Sequence, residues 1–252
     1  MRVISTSRSR SHRETAVAAA PLTDVTIEDG LAVHAETWRP GGEVDRNDDE
    51  GAAHRSAALL AELLRRLAMV SIAPPVPNPE WVRWDHEDDA LFPRNPKHDV
   101  REASIAVPRL VLDTARRARA RLRAATEARV LGHADWEAQN LRWRGAKPHA
   151  VHDWDSLAWL TEAAIVGAAS GAFASVETPK LVSVESSAAF LDGYERAAGR
   201  TFSADEREVA WAASLWPALH NARCETLYRM PTPLCSRALD IQAEDRLSLA
   251  CA

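Results

Sequence analysis

The spacing of apolar and polar positions divides the chain into a short β segment and a long, mainly helical body. Residues 23–38 alternate apolar and polar on either side of Asp29-Gly30. Asp-Gly between two alternating runs predicts a hairpin, because its primed two-residue turn requires positive φ. Arg39-Pro-Gly-Gly42 ends it, since proline lacks a ladder donor. The acidic stretch 43–51 reads as exposed. Over 52–69 the period becomes helical: Ala53, Ala57, Leu60, Leu64, Leu67 and Ala68 form one stripe. Residues 70–108 carry seven of the 14 prolines and predict an irregular excursion, pinned to the body by Trp81 and Trp84. A helix rich in Arg and Ala is predicted over 109–129. Short strands follow at 130–131, 141–143 and 150–152, with a turn at Arg144-Gly145. Helices are predicted near 161–174, 186–198, 204–221 and 236–249. Ser203-Ala-Asp-Glu206 is a capping box for the third of these, which Pro217 should kink or shorten.

Length and composition narrow the class. A chain of 252 residues, 46% hydrophobic, can build one sizeable core. A net charge of −5 argues against a general nucleic-acid or anionic-membrane surface. Arg116, Arg117, Arg119, Arg121, Arg123 and Arg129 spread around their helix without interleaved aromatics, which predicts a solvated side. No apolar run approaches membrane-spanning length. Residues 1–20 read as a disordered leader. Cys224, Cys235 and Cys251 form no paired spacing, which favours free thiols and a cytoplasmic setting. The lysines are Lys97, Lys147 and Lys180, so none precedes residue 97.

The chemistry concentrates in one stretch. Val130-Leu-Gly-His-Ala-Asp-Trp-Glu-Ala-Gln-Asn-Leu-Arg-Trp143 contains His133-x-Asp135-x4-Asn140, and Val151-His-Asp-Trp-Asp155 follows. Phosphoryl transfer needs an acid that orients or deprotonates a hydroxyl, and oxygen ligands that hold magnesium against phosphates. Asp135 has the position of the first. Asn140 and Asp153 have the positions of the second, with Asp155 as a further ligand or a partner of one. His133 suits orienting the loop. Trp136, Trp143, Trp154 and Trp159 read as packing around it. A turn at residues 144–145 would fold Asn140 and Asp153 toward each other.

This stretch resembles the aminoglycoside phosphotransferase and choline-kinase-like family, whose loop commonly reads His-Gly-Asp-x4-Asn and whose metal segment reads Ile-Asp-Phe/Trp-Asp/Glu. Phe190-Leu-Asp-Gly-Tyr194 is similar too. The likeness is specific over 130–160 and loose over 23–250. It implies an α+β, protein-kinase-like fold, an ATP or GTP donor, Mg2+, and a small hydroxylated acceptor. By it, Asp135 is the catalytic base, and Asn140 and Asp153 hold the metal and the nucleotide phosphates. Ala134, Gln139 and His152 depart from the pattern tolerably. The first lobe departs more: such proteins use a glycine loop and a strand lysine, whereas the first glycine here is Gly30.

The expected organisation is therefore a leader (1–20), a hairpin and hinge remnant of the small lobe (21–42), and a helical large lobe (43–252). The expected activity is γ-phosphate transfer from ATP to a small molecule's hydroxyl, weak or absent because the nucleotide lobe is truncated. If the chain is active alone, some other segment of its first 100 residues, with Arg39 or Arg55 as candidates, would hold the phosphates. Two other readings stay open. One is a non-catalytic remnant that binds a ligand or a partner, such as a separate small lobe or a second copy of the chain. The other is a metal-dependent phosphoesterase using His133, Asp135, His152, Asp153 and Asp155.

Overall fold

The structure is a computed structural model and describes residues 17–29, 31–71 and 78–252. The chain opens on the predicted hairpin: β1 (Thr26–Glu28) pairs antiparallel with β2 (Leu31–Val33). Glu28 lies opposite Leu31, so the loop has two residues, and Asp29 takes φ 51°. Most of the expected leader lies outside the described residues. Its last part is held, since the Val17 carbonyl accepts from Val151 N–H at 2.9 Å.

α1 (Glu50–Leu67) starts where Asp49 accepts the Ala52 N–H at 2.8 Å, an N-cap that satisfies an orphan donor. Ala53, Ala57, Leu60, Leu64 and Leu67, five of the six stripe residues, are buried. The proline-rich excursion holds one 3-10 turn (Glu80–Val82) and a short helix, α2 (Pro96–Glu102); residues 72–77 are outside the description. Trp84 is buried, and the Trp81 indole N–H bonds the Ala134 carbonyl at 3.2 Å, so both tryptophans do pin the excursion.

α3 (Arg109–Arg123) is shorter than predicted, because Arg129 begins a strand. Its arginines are not simply solvated. Arg119 donates to the carbonyls of Trp84, His86 and Ala90, and Arg121 pairs with Asp205 and Glu208. A sequence pattern shows how arginines spread around a helix, not which carbonyls fold back onto them.

β3 (Arg129–His133), β4 (Leu141–Arg144) and β5 (Lys147–Val151) match the predicted strands, with β4 and β5 antiparallel. One strand escaped prediction. β6 (Leu157–Thr161) pairs antiparallel with β3, Arg129 opposite Thr161 and His133 opposite Leu157. Four of its five residues are buried, so it lacks the alternation that marks a half-exposed strand.

Four helices complete the chain: α4 (Glu162–Ala172), α5 (Val184–Ala198), α6 (Ala204–Leu227) and α7 (Leu234–Leu249). α6 packs against α3, α4 and α7, and α1 against α5. The Ser203–Glu206 capping box forms. Pro217 does not shorten α6, which runs ten residues past it to Leu227. Trp216 and Leu219, on either side of that proline, are fully buried, and such burial offsets a lost backbone hydrogen bond. Arg246 of α7 is also fully buried and donates to the Val182 carbonyl and the Ser187 and Ser214 hydroxyls. Among the described residues, no helix is long and apolar enough to cross a membrane.

Candidate active site

The two paired strands β3 and β6 and the hairpin β4–β5 converge on the loop 133–140. His133 ends β3, is buried, and is fixed at both ring nitrogens. Its Nδ1 accepts the Asp135 N–H at 3.2 Å, so Nε2 carries the proton donated to the His152 carbonyl at 2.9 Å. Trp136 and Trp154 pack edge-on against the ring, at 5.7 and 5.8 Å between centroids. His133 is thus an orienting residue.

Asn140 closes a 3-10 turn, Ala138–Asn140. Its Nδ2 donates to Asp135 Oδ2 at 2.7 Å and to the Asp135 carbonyl at 3.0 Å. A planar amide committed through its nitrogen turns its oxygen away from that contact. The His152 N–H bonds the Asn140 carbonyl at 2.8 Å, which brings residues 152–153 beside the loop. Asp153 takes φ 62° and ψ 46°, a left-handed conformation that costs a non-glycine residue of order 1 kcal/mol. It accepts from Ser156 Oγ at 2.5 Å and shares a hydrogen bond with Asp135. Asp155 is exposed on the adjoining turn and hydrogen-bonds Asp153. The structure therefore places Asp135, Asn140 and Asp153 together, with Asp155 outermost. Arg39 and Arg55 are engaged elsewhere, with the Ala18 carbonyl and with Asp45.

Burial is the chief cause of an Asp135 carboxyl pushed up to about 6; the Asp153 carboxylate adds to it and Asn140 opposes. Burial raises Asp153 as well, but hydrogen bonds with Asp155, Ser156 and Asp135 outweigh it and hold that carboxyl below its ordinary range. The shared proton resides on Asp135. Two carboxyls close enough to share a proton form a region of excess negative charge suited to a hard cation. Among the described residues, no three His, Cys, Asp or Glu side chains are spaced to cage a metal by themselves. A cation held here would have Asp153, the Asn140 amide oxygen and oxygens from a bound phosphate as ligands. That sparse protein share fits magnesium with a nucleotide. The phosphoesterase ligand set does not form, because both His133 nitrogens are occupied.

Beside Asp135 lies a cavity of about 250 Å³ that the sequence reading missed. Trp81, Ala168, Ala172, Pro179 and Pro217 form most of its wall, and Glu137, His220 and Asn221 add polar groups. Glu137 is 8% exposed and accepts from Gln139 Nε2 at 2.7 Å. Burial, with the Asp135 charge, pushes its carboxyl up to about 8. Its signal in the sequence was an acid two residues after Asp135. The others gave no signal of a shared site, because the Glu80–Val82 turn, α4, the segment after it and α6 come together only on folding.

The sequence model described as the phosphotransferase enzyme family matches residues 16–212. The chain belongs to the phosphotransferase enzyme family. Solved structures agree on a kinase-like fold for this phosphotransferase. A choline/ethanolamine kinase family protein from Mesorhizobium loti superposes with TM-score 0.59 at 14% identity, over 92% of this chain and 73% of that one. The amicoumacin kinase hAmiN, solved in complex with AMP-PNP, Ca2+ and Ami, gives TM-score 0.57 at 12% identity, over 92% of this chain and 72% of that one. A thermostable mutant of aminoglycoside phosphotransferase APH(4)-Ia gives 0.52 at 15%, over 94% and 80%. No curated protein matches.

Proposed function

We propose that this phosphotransferase moves the γ-phosphoryl group of ATP or GTP onto a hydroxyl of a small molecule. Asp135 orients that hydroxyl and takes its proton as the oxygen–phosphorus bond forms and the bond to the departing nucleoside diphosphate breaks. A carboxyl with affinity for protons near 6 works close to ambient pH. Asn140 fixes Asp135 from the side and, with Asp153, holds magnesium. The bound cation supplies charge neutralisation on the transferring phosphate. One observation carries the reading: three side chains separated in sequence meet at one point, Asn140 bonding Asp135 at 2.7 Å and Asp153 sharing a hydrogen bond with it.

The hairpin 21–42 is, in this reading, a remnant of the nucleotide lobe. Within this sequence no lysine precedes Lys97 and no glycine loop precedes Gly30. Positioning the phosphates provides much of the catalysis in such enzymes, so turnover by these 252 residues alone is expected to be very weak. A chimera joined near Trp38 to a small lobe from a related enzyme should gain activity that Asp135→Asn removes.

The test is a thermal melt with and without magnesium and AMP-PNP. Ligand at a hundred times its Kd stabilises by about 2.7 kcal/mol, or roughly 5–10 °C here. The shift should vanish in Asp153→Ala. Equal shifts in both proteins would remove Asp153 from the metal site.

A further inference from the structure

A second cavity, of about 360 Å³, lies where the end of α3 meets the far ends of β3 and β6. Arg129 stands opposite Thr161 at that end of the two strands, and His133 opposite Leu157 at the other. Four strand steps of about 3.3 Å put roughly 13 Å between this end and the start of the 133–140 loop. The cavity is therefore a place apart from Asp135.

Its walls divide by chemistry. Trp84, Leu122, Leu160 and Ala164 are buried core residues and give it an apolar side. Charged groups of both signs border the rest. Asp85 and Arg129 satisfy each other at 2.6 Å. Arg123 and Glu127 do not. Neither enters an ion pair or hydrogen bond among the described residues. Opposite charges four apart meet across a helical turn, but α3 ends at Arg123, so the chain leaves the helix between these two. Glu127 Oε2 is shielded from water and has no donor. Shielding a carboxylate without a partner is costly, and folded proteins pair nearly all such groups. The last torsion of a glutamate is soft, so rotation about it turns either oxygen toward a donor that enters the cavity.

We infer that this cavity binds a small zwitterion of the ω-amino acid class, its ammonium on Glu127, its carboxylate on Arg123 and its methylenes against Leu122 and Leu160. A guanidinium fork matches a carboxylate, and an ammonium brings the donors that Glu127 lacks. A simple anion would leave Glu127 without a partner, and a simple cation would leave Arg123 without one. The site stands independently of the reading of Asp135 as a base.

The test is protein-observed NMR on the full chain. Glycine, 4-aminobutyrate and 6-aminohexanoate are the zwitterionic probes, and butyrate and butylamine carry one charge each. At least one zwitterion should bind roughly tenfold or more tightly than either single-charge probe, and should shift the amides of residues 126–129 and 160–161. Arg123→Gln and Glu127→Gln should each weaken it by a similar factor. Arg123 is exposed, so its replacement leaves the core intact. Asp153→Ala should bind the same probe as wild type does. The inference is overturned if no zwitterion binds with a Kd below about 10 mM, or if butyrate or butylamine binds as tightly. Binding that ignores both Arg123→Gln and Glu127→Gln would also overturn it. So would binding lost in Asp153→Ala, which would move the ligand to the proposed nucleotide site. The magnesium-nucleotide melt remains the separate test of the kinase reading.

Discussion

Gly167→Ala perturbs the crossing on which the cavity beside Asp135 depends. A Cβ at Gly167 would lie 2.2 Å from the Ala210 carbonyl oxygen, 2.6 Å from its Cα and 2.7 Å from its carbonyl carbon. Ordinary contact begins at 3.4 Å, so α4 and α6 must separate by about 1 Å in an interior packed like a crystal. Overpacking costs about 1–3 kcal/mol when side chains can yield. Here the obstacle is helix backbone, which places the cost at or above about 3 kcal/mol. At about 2–4 °C per kcal/mol for a domain of this size, the melting temperature should fall by roughly 6–12 °C. Gly132→Ala is the control. Its Cβ would meet Ile165 Cδ1 at 2.5 Å and Cγ2 at 2.9 Å, the end of a side chain that can turn. Its cost should be about 1 kcal/mol, partly restored by Ile165→Val, which deletes Cδ1. Calorimetry on the three variants decides the matter. A Gly167→Ala protein that melts within about a degree of wild type, or above Gly132→Ala, would refute the close crossing.

Three further outcomes are expected. Asp135 keeps its proton to about pH 6 when folded against 3.8 ordinarily, so the folded state binds more protons between those values and stability falls as pH rises through them. Asp135→Asn, which mimics the protonated form, should remove that loss and be about 1–3 kcal/mol more stable than wild type at pH 7.5 in urea titrations, with no gain at pH 3.5. Arg246→Met should cost about 2–4 kcal/mol in the same assay, because it strands the Val182 carbonyl and the Ser187 and Ser214 hydroxyls; an unchanged midpoint would show those acceptors find other donors. Arg119→Ala should speed amide exchange across residues 84–92 while α3 stays protected, since three carbonyls lose their clasp; unchanged protection would assign the anchoring to Trp84 and Phe92 alone.

The sequence by itself determined the elements whose signals are local. The hairpin follows from the Asp29-Gly30 turn, α1 from its stripe, and α6 from the capping box, whereas the Asp49 cap that starts α1 two residues earlier was seen only in the structure. It also picked out Asp135, Asn140 and Asp153, whose side chains meet because a short hairpin, β4–β5, folds the chain between them back on itself. Tertiary structure decided what depends on distant partners. β6 exists because β3 supplies its hydrogen bonds, and its buried residues erase the alternation that would have announced it. α6 continues past Pro217 because Trp216 and Leu219 are buried on either side, a gain no local propensity records. The cavity beside Asp135 is the extreme case. Trp81 on the 3-10 turn, Ala172 on α4 and His220 on α6 are far apart in sequence, and they surround Asp135 only because that turn packs on α6 and because α4 and α6 approach closely at Gly167 and Gly171, where backbone meets backbone.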